Sequence, residues 1–152
     1  MSYVNSVLQP GERIVMRGQL HWIIYRDAIA LLILGPVVVI FEWVTRMNDT
    51  MIGITSMIFA VLFCAFFGYA WFIRWITEFA VTDRRVIYKR GFITRRTAEM
   101  NMDKVESVEV NQSVLGRMLD YGSLHVMGTG QGIEHLHYIA QPLALRNAIT
   151  AK

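Results

Sequence analysis

Three groupings of side chains in this sequence have the chemistry for a site. The first is basic. Arg74, Arg84, Arg85, Lys89, Arg90, Arg95 and Arg96 follow one another with only Glu78 and Asp83 between them to offset the charge. Such a cluster beside a bilayer attracts anionic lipid headgroups, at about 1 kcal/mol per basic residue near the surface. Positive charge that merely orients a membrane span, or that lies on solvated strand faces, accounts for the same residues. The second grouping is His125, His135 and His137. If the intervening turn is symmetric about Gly130, His125 faces His135, and His137 shares that face one pleat along. Three imidazoles there could bind a metal or sense pH. Glu134 is adjacent, but no carboxylate is fixed as a fourth ligand, and a one-residue slip of register removes the pairing. A plain polar sheet face is the more ordinary explanation of the same three residues. The third grouping, Gly128, Gly130 and Gly132, lacks the following helix and the Lys-Ser/Thr pair of a phosphate loop and reads as a hairpin turn. No Ser-His-Asp order, His-Glu-x-x-His motif or cysteine cluster is present. The expectation is a chain that is not an enzyme and needs no cofactor. Its lone Cys64 can form no intramolecular disulfide.

The elements that must position these residues begin with an apolar insert. Between Ala28 and Ile73 only Glu42, Arg46 and Asp49 are charged. Met51 to Ile73 carries no charge and is long enough to cross a hydrocarbon core of about 30 Å as a helix. Ala28 to Phe41 is shorter. Its flanks extend it: Trp22, Tyr25 and Arg26 stand at one end and Glu42 and Trp43 at the other, as in an interfacial belt. From Trp22 to Trp43 a helix rises about 31 Å. Gly35-Pro36 should kink it. Thr45 to Thr50 is too short for anything but a turn. Residues 21–75 are therefore expected to form a transmembrane helical hairpin, with spans of about 22–44 and 51–73. Trp22, Tyr25, Trp43, Trp71 and Trp75 are its expected interface anchors. Lys and Arg are concentrated on the terminal side of both spans, which places both termini in the cytoplasm.

Residues 1–20 read as a cytoplasmic lead-in, with Arg13 to Gly18 a candidate strand. From Thr77 the pattern turns to β: Thr77–Thr82, Arg85–Lys89, Phe92–Met100, a bulged Lys104–Val110, Ser123–Met127 and Ile133–Ile139. Asn111 to Leu119 reads as a short helix capped by Ser113, with Val114, Leu115, Met118 and Leu119 on one face. Pro142 opens a C-terminal helix with an apolar stripe of Leu145, Ala148 and Ile149. About six strands and a closing helix suit a small, partly open barrel or a sandwich in residues 76–152.

Several segments carry a family resemblance. They are Pro10-Gly11-Glu12 leading to Leu20-His21-Trp22, the run Thr77 to Ile87, Gly91 to Arg96, Asp103 to Val108, Gln112-Ser113-Val114-Leu115-Gly116-Arg117, Tyr121-Gly122 and Gly128-Thr129-Gly130. In this order they resemble the bacterial pleckstrin-homology-like membrane proteins with two transmembrane helices before the domain. The resemblance covers nearly the whole chain. It implies two roughly orthogonal sheets plugged by a C-terminal helix. Fold alone does not assign a ligand.

The expected function is that of a non-enzymatic binding module, anchored in a bacterial inner membrane and working at its cytoplasmic face. Its partners would be a membrane or cytoplasmic protein, its own copies, or anionic headgroups. A homo-oligomeric scaffold with Phe59, Phe63, Phe66 and Phe67 packing between spans is the alternative, and a histidine-based metal or pH sensor a distant one. With a net charge of only +3 and no aromatic-basic platform, nucleic acid is not an expected partner.

Overall fold

The computed structural model describes residues 3–92, 96–128 and 133–151, with the side chains of residues 133–135 left out. The chain divides into two units: residues 22–73, and a domain built from Met1–His21 together with Arg74–Lys152.

The first unit is two helices. A single 3-10 turn, Trp22–Tyr25, leads into α2, Arg26–Val44, and α3 covers Asp49–Ile76. They pack antiparallel. The Tyr25 and Phe67 rings meet at 5.2 Å, Gly35 lies against Phe59, and Thr55 Oγ1 donates to Glu42 Oε1 at 3.0 Å. The inward residues of α2, Ala28, Leu31, Gly35, Val38 and Glu42, recur at spacings of three and four, the period of a helix–helix seam. α2 runs unbroken through Pro36. Most of the remaining apolar surface faces outward: Leu32, Ile33, Val37, Ile40, Met57, Ile58 and Val61 are each more than half exposed. Phe59 and Phe67 are engaged within the pair, while Phe66 faces out.

The second unit opens with α1, Tyr3–Val7, and β1, Ile14–Gly18. β1 pairs antiparallel with β2 (Glu78–Thr82), β2 with β3 (Arg85–Arg90), and β3 with β4 (Arg96–Asn101). A second antiparallel sheet holds β5 (Val105–Asn111), β6 (Tyr121–Gly128) and β7 (Ile133–Ala140). Helix α4, Val114–Met118, links β5 to β6, and α5, Pro142–Thr150, follows β7. The bulge expected in β5 lies between Val105 and Ser107. β6 begins two residues before the expected strand Ser123–Met127, because Tyr121 and Gly122 both pair with β7.

Alternating residues of both sheets make one core. Phe79, Val81, Val86, Tyr88 and Met100 meet Leu124, Val126, Leu136 and Ile139, and α5 adds Leu145 and Ile149. A fully buried Val, Leu or Ile contributes about 1.5–3 kcal/mol relative to exposure. The opposite face of β2 and β3 is also covered. There Ala80 and Ile87 pack with Val4 of α1, and Tyr3, Val7 and Ile14 surround them. The strands therefore read as continuous apolar runs rather than clean alternations, as doubly covered strands do.

Candidate functional site

The domain is entered and left at residues that pack on its loops and strands. His21, the last residue before the insert, donates its amide to the Tyr138 carbonyl at 2.6 Å. Its ring stacks on Tyr121, with centroids 5.2 Å apart, and hydrogen-bonds the Leu119 carbonyl. Asp120 and Arg74 lie within electrostatic reach. Burial pushes the imidazole below its ordinary value of 6.5, against the smaller upward pull of Leu119 and Asp120. Beside it is an open cavity of about 480 Å³ lined by Met16, Arg17, Gln19, His21, Leu119, Asp120, Ala140 and Gln141. Asp120, Tyr138 and Gln141 all adopt left-handed backbone, with φ of 54°, 57° and 52°. Strained backbone gathered in one place is a mark of functional regions.

At the other junction, Trp75 packs on Phe92, with ring centroids 5.6 Å apart. Phe92 belongs to the connection between β3 and β4. Just inside it, Arg90 and Arg96 stand directly opposite each other in the ladder, and both side chains are exposed. Arg74 is also exposed.

The remaining basic residues divide differently than their sequence clustering implies. Arg85 is turned inward: it bonds Glu12 through Nη2 at 2.9 Å and Nε at 3.0 Å, Glu99 through Nη1 at 2.6 Å and the Val7 carbonyl at 2.7 Å. Lys89 pairs with Glu78 at 3.2 Å and lies over the Tyr3 ring. Arg84 is exposed at the far turn, near Gln9. Arg95 lies outside the described residues.

His125 sits opposite Glu109 of β5, at a shift in the β6–β7 register between Leu124 and Val126. His137 is exposed beside Tyr138. The side chain of His135 lies outside the described residues, and among those described no group of three His, Cys, Asp or Glu is placed to hold a metal ion. Of the aromatic anchors, Trp22, Trp43, Trp71 and Trp75 are exposed near helix ends, and Tyr25 packs on Phe67.

The signal that sequence reasoning missed is the junction itself. His21 and the Leu119–Tyr121 segment are distant in sequence, and the isolated Leu20–Ile139 bridge, with the backbone bonds of Gln19 and His21 to Ala140 and Tyr138, brings them together. A family model described as a bacterial PH domain matches residues 19–151. No curated protein and no solved structure matches the chain.

Proposed function

The chain belongs to the bacterial PH domain family, and on that premise we propose that it is a non-enzymatic, membrane-anchored interaction module. The helices over residues 22–73 cross the bacterial inner membrane as a hairpin. The domain stays at the cytoplasmic face and presents Arg74, Arg90 and Arg96 to anionic headgroups. The observation that carries this reading is the outward apolar surface of two helices long enough to span: no residue in the most apolar stretch of α3 is buried. Water does not tolerate so extensive a face, whereas a bilayer requires it.

Orientation is tested by labelling. In a Cys64→Ser background, Asn48→Cys in the hairpin turn should react with a membrane-impermeant maleimide added to spheroplasts. Thr97→Cys on exposed β4 should react only after lysis. The reverse pattern overturns the orientation.

Headgroup contact is tested with residues 22–73 replaced by a short glycine–serine linker. Arg90→Ala combined with Arg96→Ala should weaken partitioning onto anionic vesicles by about 2 kcal/mol, roughly 30-fold. Raising the salt should reproduce much of the loss. Unchanged partitioning retires the headgroup role and leaves a protein partner as the ligand.

A further inference from the structure

Helix α4 has its amphipathic faces reversed for a soluble domain. Its inward residue is Gly116, so close to the Tyr121 carbonyl oxygen that an added Cβ would stand 2.6 Å from it. Its polar fastenings point inward too. Ser113 Oγ accepts from the Gly116 amide at 3.1 Å. Gln112 Nε2 donates to the carbonyls of Gly116, at 3.3 Å, and Tyr121, at 3.1 Å. These contacts hold the apolar side outward: Val114, Leu115 and Met118 are 76%, 62% and 76% exposed. Apolar side chains of this kind gain free energy when taken out of water. Here the local architecture keeps them in it.

Two observations specify what covers them. The first is position. Leu119, directly after α4, accepts the hydrogen bond from His21, and Tyr121 stacks on that same ring. His21 immediately precedes the first apolar helix, and Arg74, at the return of the second, lies within its electrostatic reach. Thus α4 sits at the end of the domain where the chain departs and re-enters. The second is charge. Arg117 and Arg146 are exposed and line one cleft with Leu143 and a single acid, Asp120, at the base of α4. An apolar ridge bordered by guanidinium groups matches the bilayer interface. There apolar side chains reach about 5–10 Å into the headgroup–acyl boundary while arginines stay level with the phosphates.

We propose that α4 is an interfacial foot. Val114, Leu115 and Met118 insert into the cytoplasmic leaflet, with Arg117 and Arg146 at its phosphates. The occupant is the lipid surface itself. The foot adds a third attachment to the two chain crossings and fixes the domain's tilt, and so fixes which loops remain open to a cytoplasmic partner. This inference rests on the membrane-anchor reading.

The test uses the full chain in nanodiscs of mixed anionic and zwitterionic lipid. An environment-sensitive fluorophore is attached at Leu115→Cys, at Met57→Cys in the span, or at Thr97→Cys as a solvent control, each in the Cys64→Ser background. The expected result at Leu115 is a blue-shifted emission. Quenching by shallow spin-labelled acyl chains should be strong, and quenching by iodide severalfold weaker than at Thr97. Iodide access at Leu115 equal to that at Thr97, with Met57 still quenched by lipid, overturns the foot and leaves the anchor intact. Loss of lipid quenching at Met57 as well overturns the anchor. Protection of Leu115 that depends on protein concentration, without lipid quenching, also overturns the foot, because a second copy then covers the helix.

Discussion

Replacing residues 22–73 with a short glycine–serine linker is expected to convert a chain that resists alkaline extraction from membranes into a soluble, folded domain. The reason lies in where the domain's bonds close. β1 reaches across the excised segment to pair with β2, from Ile14 opposite Thr82 to Gly18 opposite Phe79. Gln19 and His21 are held to the β7 end by backbone hydrogen bonds with Ala140, at 2.9 Å, and Tyr138, at 2.6 Å. The shared core draws on both sheets and α5 and includes no residue of the excised segment. The two cut ends, His21 and Arg74, are already within electrostatic reach, so a linker of a few residues imposes little closure entropy. What the excision removes is the outward apolar surface of both helices, the feature that the membrane-anchor proposal rests on. The measurement is the distribution between pellet and supernatant after an alkaline wash, followed by far-ultraviolet circular dichroism of the soluble fraction. An excised chain that stays in the pellet, or that is soluble without strand signal, would show that the apolar hairpin supports the domain's fold.

The second large effect belongs to Glu12. Its side chain is fully buried, and each carboxylate oxygen is satisfied twice. Oε1 accepts from Arg85 Nε at 3.0 Å and Thr82 Oγ1 at 2.7 Å; Oε2 accepts from Arg85 Nη2 at 2.9 Å and the Gln9 amide at 2.8 Å. This two-pronged pairing ties the Gln9–Glu12 turn to the start of β3. Glu12→Ala leaves a nearly buried guanidinium without its main counter-charge. Breaking a buried pair from one side costs about 3–5 kcal/mol, equivalent to a melting temperature lower by about 15–30 °C in a domain of this size. Glu12→Gln keeps the shape and should lose less. The Arg85 hydrogen bonds, ahead of its charge, hold the Glu12 carboxyl at about 2 against an ordinary 4.5. Because the folded value lies below the unfolded one, the unfolded chain binds the extra proton between them. The stabilisation is fully present above pH 4.5 and is lost as pH falls through about 2. Denaturation of the excised domain at a series of pH values should show this slope, and Glu12→Gln should abolish it. A Glu12→Ala domain that melts within a few degrees of the parent would mean that the pair contributes little.

The sequence by itself determined the parts governed by local pattern. Apolar run length and flanking aromatics marked two helices, found as Trp22–Val44 and Asp49–Ile76. Strand periodicity and turn residues marked the β segments, and Ser113 was legible as a cap because its oxygen bonds an amide only three residues away. The order of short motifs carried the family, which the match over residues 19–151 shows. The tertiary structure decided which basic side chains are turned inward. Arg85 and Lys89 look like their neighbours in sequence, yet Glu12 and Glu78 take them inward, and Glu12 lies 73 positions from Arg85. A charge cluster counts residues, whereas partnership depends on which strands lie side by side. The same holds for α1, which local pattern gave no reason to expect and which exists to cover Ala80 and Ile87. It holds too for α4, whose outward apolar face follows from Gly116 packing on Tyr121. Finally, the junction at His21 arises because β1 precedes the apolar insert and its continuation pairs with β7, near the other end of the chain.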